Sequence, residues 1–171
     1  MPKTINQRMH AKIEGDFVVF IIGIRVNKWW KIHRWLPIIP TMPKMIKELM
    51  KNPDSGFLGV MGAFPWMVQY WRSFDHLIAY ARNHDANHYP TWIKFNKQIG
   101  SSGDVGIWHE TYLVKDGQYE TFYNSMPPMG LGKFAELLPA VGRSGSARSR
   151  VGAVESDDAP ISPEGEVRTD A

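Results

Sequence analysis

The sequence predicts an α+β fold, and three observations carry that prediction. Runs rich in Val, Ile, Phe, Trp and Tyr, bounded by Gly, Pro, Asn and Asp, mark strands. Two stretches between them repeat apolar residues at helical spacing. The segments fall in the order β-α-β-β-α-β-β, which is the split βαβ pattern of a ferredoxin-like domain, βαββαβ, with one extra C-terminal strand. Such an antiparallel sheet carries helices on one face only, so its other face needs cover, commonly from a second subunit.

FVVFIIGIRV (17–26) is the most apolar run and forms the core of the first strand, 16–26. It is about half as long as a membrane helix requires, so a buried strand is expected and no membrane contact. NKWWKIHRWLPIIP follows, and then TMPKMIKELMKN, where Thr41 can N-cap a helix with Pro43 in its first turn. Met45, Ile46, Leu49 and Met50 form that helix's apolar face, and NPDSG (52–56) ends it. FLGVMGAF (57–64) and WMVQYWR (66–72) read as paired strands. Ser73 caps the next helix, SFDHLIAYARNH, whose apolar face is Phe74, Leu77, Ile78 and Ala81. After a break at 85–90, TWIKFNKQIG is helical until Gly100 and Gly103. VGIWHETYLV (105–114) is a strand, KDG (115–117) a hairpin turn, and QYETFYNSM (118–126) its return strand.

The domain organisation follows: an N-terminal arm over 1–15, the domain over 16–132, and a mostly disordered tail over 133–171, whose later part is rich in Gly, Ser, Pro and charge. The chain has 171 residues, a net charge of +3 and no cysteine, which excludes disulfides, thiolate metal sites and thiol nucleophiles. Residues 140–171 hold four Arg against six Asp and Glu, so the positive balance lies before residue 140. Its one cluster, Lys28, Lys31 and Arg34, is interrupted by Trp29, Trp30 and Ile32, and no nucleic-acid partner is expected. The polar start, MPKTINQRMHAKIEGD, has no apolar run of the kind a secretory leader carries, so a cytoplasmic location is expected.

The chemistry-bearing residues are few. No G-x-S-x-G, P-loop or G-x-G-x-x-G sequence occurs. His84 and His88 stand four apart, but the helix breaks between them and no third ligand lies at a usable spacing, so no metal site is expected. His88 opens a helix that carries Trp92 and Phe95 on the same face. His109 and Glu110 are adjacent in a strand, so period-2 alternation turns them to opposite faces unless a bulge intervenes, and they are not a ready-made dyad. His109 shares its face with Ile107 and Thr111; Glu110 shares the other with Trp108 and Tyr112. Alternation does not say which face meets the helices. The candidate catalytic residues are His109, Glu110 and His88. Trp71, Trp92, Phe95, Trp108, Tyr112 and Tyr123 are the candidate pocket aromatics, with His33 at the mouth.

Several stretches taken together resemble one known family. IRVNKWWKIHRWLPI (24–38), SGFLG (55–59), YWRSFDHLIAYAR (70–82), HYPTWIKFN (88–96), VGIWHETY (105–112) and NSMPPMGLG (124–132) occur in that order. They are similar to an uncharacterised-domain family of bacterial and fungal proteins grouped with the fumagillin-biosynthesis monooxygenase. The resemblance covers roughly residues 14–132. It implies likeness to the antibiotic-biosynthesis monooxygenases and a dimeric α+β barrel, hence a homodimer. Some relatives oxygenate polyketide-like substrates without metal or flavin; others in the superfamily bind haem, as haem-degrading enzymes and aldoxime dehydratases do. The expected function is a monooxygenase-like oxidoreductase acting on a small apolar or aromatic metabolite, with no cofactor. The alternatives are a haem protein with His88, His109 or His33 as axial ligand, and a non-catalytic dimeric small-molecule-binding protein.

Overall fold

A computed structural model describes residues 3–98 and 100–152 of the chain. The chain divides into two units: one is Phe17–Leu113, and the other joins the N-terminal segment up to Asp16 to the segment from Val114 onward.

The Phe17–Leu113 unit is the ferredoxin-like part. It contains β2 (Phe17–Val26), the short α1 (Ile32–Trp35), α2 (Thr41–Lys51), β3 (Phe57–Ala63), β4 (Trp66–Trp71), α3 (Phe74–Arg82), α4 (His88–Gln98) and β5 (Val105–Val114), the last running one residue past its boundary. The sheet order is β3-β4-β2-β5, with β2–β4 and β3–β4 antiparallel. This is the strand order of the split βαβ fold. The register Val18↔Trp71, Phe20↔Gln69 and Ile22↔Met67 puts these six residues on one face. That face meets the helices: Val18, Leu49 of α2, Trp71 and Leu77 of α3 form a buried cluster, with Phe20, Phe57 and Tyr80 packed against it. Trp71 is 1% exposed, and its indole N–H donates to Gln69 Oε1 at 3.0 Å, so the buried donor is satisfied.

Local signals explain most helix ends. Ser73 caps α3 by accepting from the His76 N–H at 3.3 Å. Thr41 does not cap α2. It is the first helical residue, after Pro40, and its hydroxyl donates to the Ile38 carbonyl at 2.6 Å. Gly56 (φ +69°) ends the turn after α2, and a Cβ there would lie 2.3 Å from the His76 ring, so only glycine fits.

The second unit holds elements that the sequence reading does not anticipate. The N-terminal arm contains a strand, β1 (Ile5–Lys12). Within the expected tail, β7 (Glu136–Pro139) pairs antiparallel with β1, and α5 (Ala147–Arg150) follows; its residues 153–171 lie outside the described residues. The return strand does not pair with β5. A turn forms at Lys115–Gln118, but only β6 (Tyr123–Met126) is strand, and it joins the separate sheet β6-β1-β7. The physical reason is hydrogen bonding. Residues 118–122 meet β1 through side chains, with the Ala11 and Ile13 N–H groups donating to Thr121 Oγ1 at 2.7 Å and Tyr119 Oη at 2.8 Å. Met9, Ala11, Ile13, Leu131 and Ala140 are buried.

Asp104 joins the ends of β2 and β5. It is buried, 1% exposed, with Lys28 Nζ at 2.9 Å and Lys31 Nζ at 3.0 Å from Oδ1, and Arg34 Nε at 3.9 Å from Oδ2. Its carbonyl accepts from the Asn27 and Lys28 N–H groups at 3.0 and 3.3 Å. The basic cluster of the sequence is thus turned inward on one carboxylate. Hydrogen bonds from Lys28 and Lys31 hold the Asp104 carboxyl down from 3.8 to about 2. A carboxyl whose pKa falls on folding stabilises the fold above its unfolded pKa, and that contribution is lost as pH drops toward the folded value. Asp104→Asn should lower the Tm by several degrees at neutral pH and should flatten the loss of stability between pH 4 and 2 relative to the parent. Thermal melts of both proteins across that window check this.

Candidate functional site

Alternation along β2 directs Phe20, Ile22 and Ile24 to the helix side of the sheet. Beyond the packed Trp71 cluster, α2 and α4 leave a space over these residues. A cavity of about 1090 Å³ results, lying wholly within the Phe17–Leu113 unit. Its walls are mostly apolar: Met42, Met45, Ile46 and Met50 from α2, Leu77, Ile78 and Ala81 from α3, Trp92 and Phe95 from α4, and Pro37–Ile39 from the segment before α2. Ile107, His109 and Thr111 line it from β5, and His88 lines it from α4.

The strand therefore resolves the two-faced pair. His109 belongs to the cavity face, with its ring 5.5 Å from Phe20. Glu110 belongs to the other face and accepts from the Tyr112 hydroxyl at 2.6 Å; that bond raises the Tyr112 pKa. Trp108 shares this second face. It lies across Gly23, where a Cβ would sit 2.7 Å from the indole Nε1. Glu110, Trp108 and Tyr112 are thus separated from His109 by the thickness of the sheet.

His88 is fixed from behind. Its Nδ1 lies 3.0 Å from the Ala81 carbonyl oxygen. A carbonyl only accepts, so Nδ1 carries a proton, and in the neutral ring Nε2 is the nitrogen with the lone pair. The His88 ring packs on Tyr80, at 5.9 Å between centroids, and Tyr80 packs on Trp71 at 6.0 Å. The Tyr80 hydroxyl donates to Glu48 Oε2 at 2.8 Å, and the Asn87 N–H donates to the same carboxylate at 3.1 Å. Glu48 of α2 thereby ties down both the ring beneath His88 and the residue before it. Burial and the Glu48 carboxylate push the Tyr80 phenol pKa well up, so it stays a donor.

The cavity brings together four of the ten site residues expected from sequence: His88, Trp92, Phe95 and His109. Trp71 is on the helix-covered face of the sheet but is sealed in the core. His33 is an exposed residue of α1 away from the cavity lining. Tyr123 belongs to the other unit, where its hydroxyl accepts from the Gly132 N–H at 2.9 Å. Sequence reasoning misses the α2 methionines and the inward residues of β2 as site residues, although their apolar spacing is visible. His84 stacks on Tyr89, 3.8 Å between centroids, and does not join His88. Among the described residues, no group of three or more His, Asp or Glu is placed to hold a metal ion.

Comparison with known proteins places this geometry in a family. A family model described as Monooxygenase af470-like matches residues 17–131. The chain is 26% identical over 166 residues to Monooxygenase af470 of Aspergillus fumigatus, covering 86% of this chain and 56% of that protein, so it spans little more than half the relative's length. Among solved structures it is similar to an aldoxime dehydratase, with a TM-score of 0.59 and 18% identity over 79% of this chain and 44% of that one, a likeness of fold. No helix among the described residues is long and apolar enough to cross a membrane.

The Glu48 anchor is testable without touching the cavity wall. Tyr80→Phe keeps the ring stack on His88 and removes one donor to the carboxylate. It should cost about 1 kcal/mol of stability, measured by denaturant unfolding.

Proposed function

The chain belongs to the Monooxygenase af470-like family, and from that premise we propose that it oxygenates a small apolar metabolite held in the cavity between α2, α4 and the sheet. One observation carries this: His109 and His88, from a strand and a helix, line a single apolar cavity of about 1090 Å³. Large apolar walls with few polar groups suit a small-molecule site, whose usual volume is roughly 300–1,000 Å³.

The chemistry asks for a base and a dry wall. Dioxygen reacts slowly with closed-shell carbon, so the substrate must supply a carbanion or enolate. His109 is the base. No hydrogen bond engages its ring among the described residues, so a ring nitrogen is open to a substrate proton. The proton of an activated methylene passes to His109. The carbanion then reduces dioxygen, and a C–O bond forms to give a peroxide. Cleavage of the O–O bond with loss of water leaves a carbonyl. Each methylene and dioxygen consumed thus yields a carbonyl and a water. The substrate carbon supplies all the electrons, and the proton taken by His109 leaves in the water. Trp92, Phe95 and the α2 methionines give the anion apolar surroundings. Oxygen uptake with a panel of enolisable apolar compounds tests the assignment. His109→Ala should lower turnover about 100-fold or more, whereas Glu110→Gln, on the far face, should leave it within about twofold. Equal losses in both variants would refute the assignment.

A second reading rests on His88. With Nδ1–H held by a backbone carbonyl, Nε2 is oriented as a neutral ligand, and the apolar cavity suits a haem macrocycle. The aldoxime dehydratase likeness is one of fold and does not itself supply the group. In this case His88 would hold the iron, Trp92 and Phe95 would pack beside the ring, and the haem would supply the redox or Lewis-acid chemistry. A Soret shift on haem titration that disappears in His88→Ala supports it; an unchanged haem spectrum removes it.

A further inference from the structure

The cavity that is apolar within carries three cations in its lining: Lys47 and Lys51 of α2 and Lys94 of α4. Among the described residues, no Asp or Glu lines it. Elsewhere in the same unit basic side chains are spent on an acid, as Lys28, Lys31 and Arg34 are on Asp104. The three cavity lysines differ. Among the described residues none of their side chains takes part in an ion pair or hydrogen bond. The single acid of α2, Glu48, is engaged by Tyr80 and Asn87, and α4 contains no acidic residue. Lys47 and Lys51 are also four residues apart on one helix, where like charges repel. An anion between them would relieve that repulsion.

Resting on the assignment of this cavity as the substrate site, we propose that it takes an amphipathic anion: an apolar body against the methionine and tryptophan walls, and a terminal carboxylate held by Lys47, Lys51 and Lys94. The apolar body provides the burial that drives binding. The lysines, exposed at the rim, keep water on one side and give orientation, because a carboxylate cannot enter the apolar interior without losing its hydration. The end of the substrate remote from the carboxylate is then the end presented to the interior.

Isothermal titration of the full chain with dodecanoate and with dodecanol separates the two levels of inference. The alcohol reports the apolar cavity alone, and the difference between the two reports the lysines. Dodecanoate should bind about tenfold more tightly than dodecanol at low ionic strength, and the advantage should shrink at high salt. A triple variant, Lys47→Met with Lys51→Met and Lys94→Met, keeps the side-chain stems. It should erase the advantage while dodecanol affinity holds, with circular dichroism confirming the fold. Equal affinity in the parent, or an advantage that survives in the triple variant, overturns the proposal and leaves the cavity as a substrate site. Failure of both compounds to bind overturns the cavity assignment and the proposal together.

Discussion

Asp104 is the constraint on which the site depends. A carboxylate that is 1% exposed would be prohibitive without partners. Lys28 and Lys31 supply them within 3.0 Å. The same residue's carbonyl holds the backbone of the segment leaving β2. Because Asp104 immediately precedes β5, these contacts set where β5 begins beside β2. The register of β5 then decides which side chains reach the helix face. A shift of one residue would exchange His109 for Glu110 at the cavity.

The sheet acts as a partition. On one side, His109 meets Phe20 and the cavity. On the other, Glu110 engages Tyr112, and Trp108 lies over Gly23. Adjacent polar residues in a strand thus serve separate environments, the imidazole on the cavity side and the carboxylate on the other. His88 receives a different kind of support. Its anchor is a backbone carbonyl, its stacking partner is Tyr80, and both Tyr80 and the preceding residue are tied to Glu48. The helix-borne histidine is therefore fixed by α2 and α3 as much as by its own helix.

How the helices pack also explains why one apolar face yields both core and cavity. Trp71 and Met67 share the helix face of β4. At Trp71 the helices close down, and Leu49 and Leu77 seal it. At Met67 the walls are α2 methionines and the segment before α2, and the space stays open. Methionine suits such a wall because its unbranched, polarisable side chain adapts to different contours.

The ferredoxin-like element order, the Ser73 cap, the helical face of α2 and the opposite facing of His109 and Glu110 were all legible in the sequence. Each rests on local chemistry: side-chain period, turn residues and capping oxygens act over a few positions. The strands β1 and β7 were not legible, because INQRMHAK and ELLP acquire strand character only by pairing with each other across most of the chain. Nor could periodicity tell Trp71 in the core from Trp92 in a cavity wall, since both are apolar residues on a buried-type face. The sequence by itself determined which residues lie on a common face. Only the tertiary structure decided which face the helices cover and where they part, because cavity position depends on helix separation, a property of packed elements rather than of any one segment.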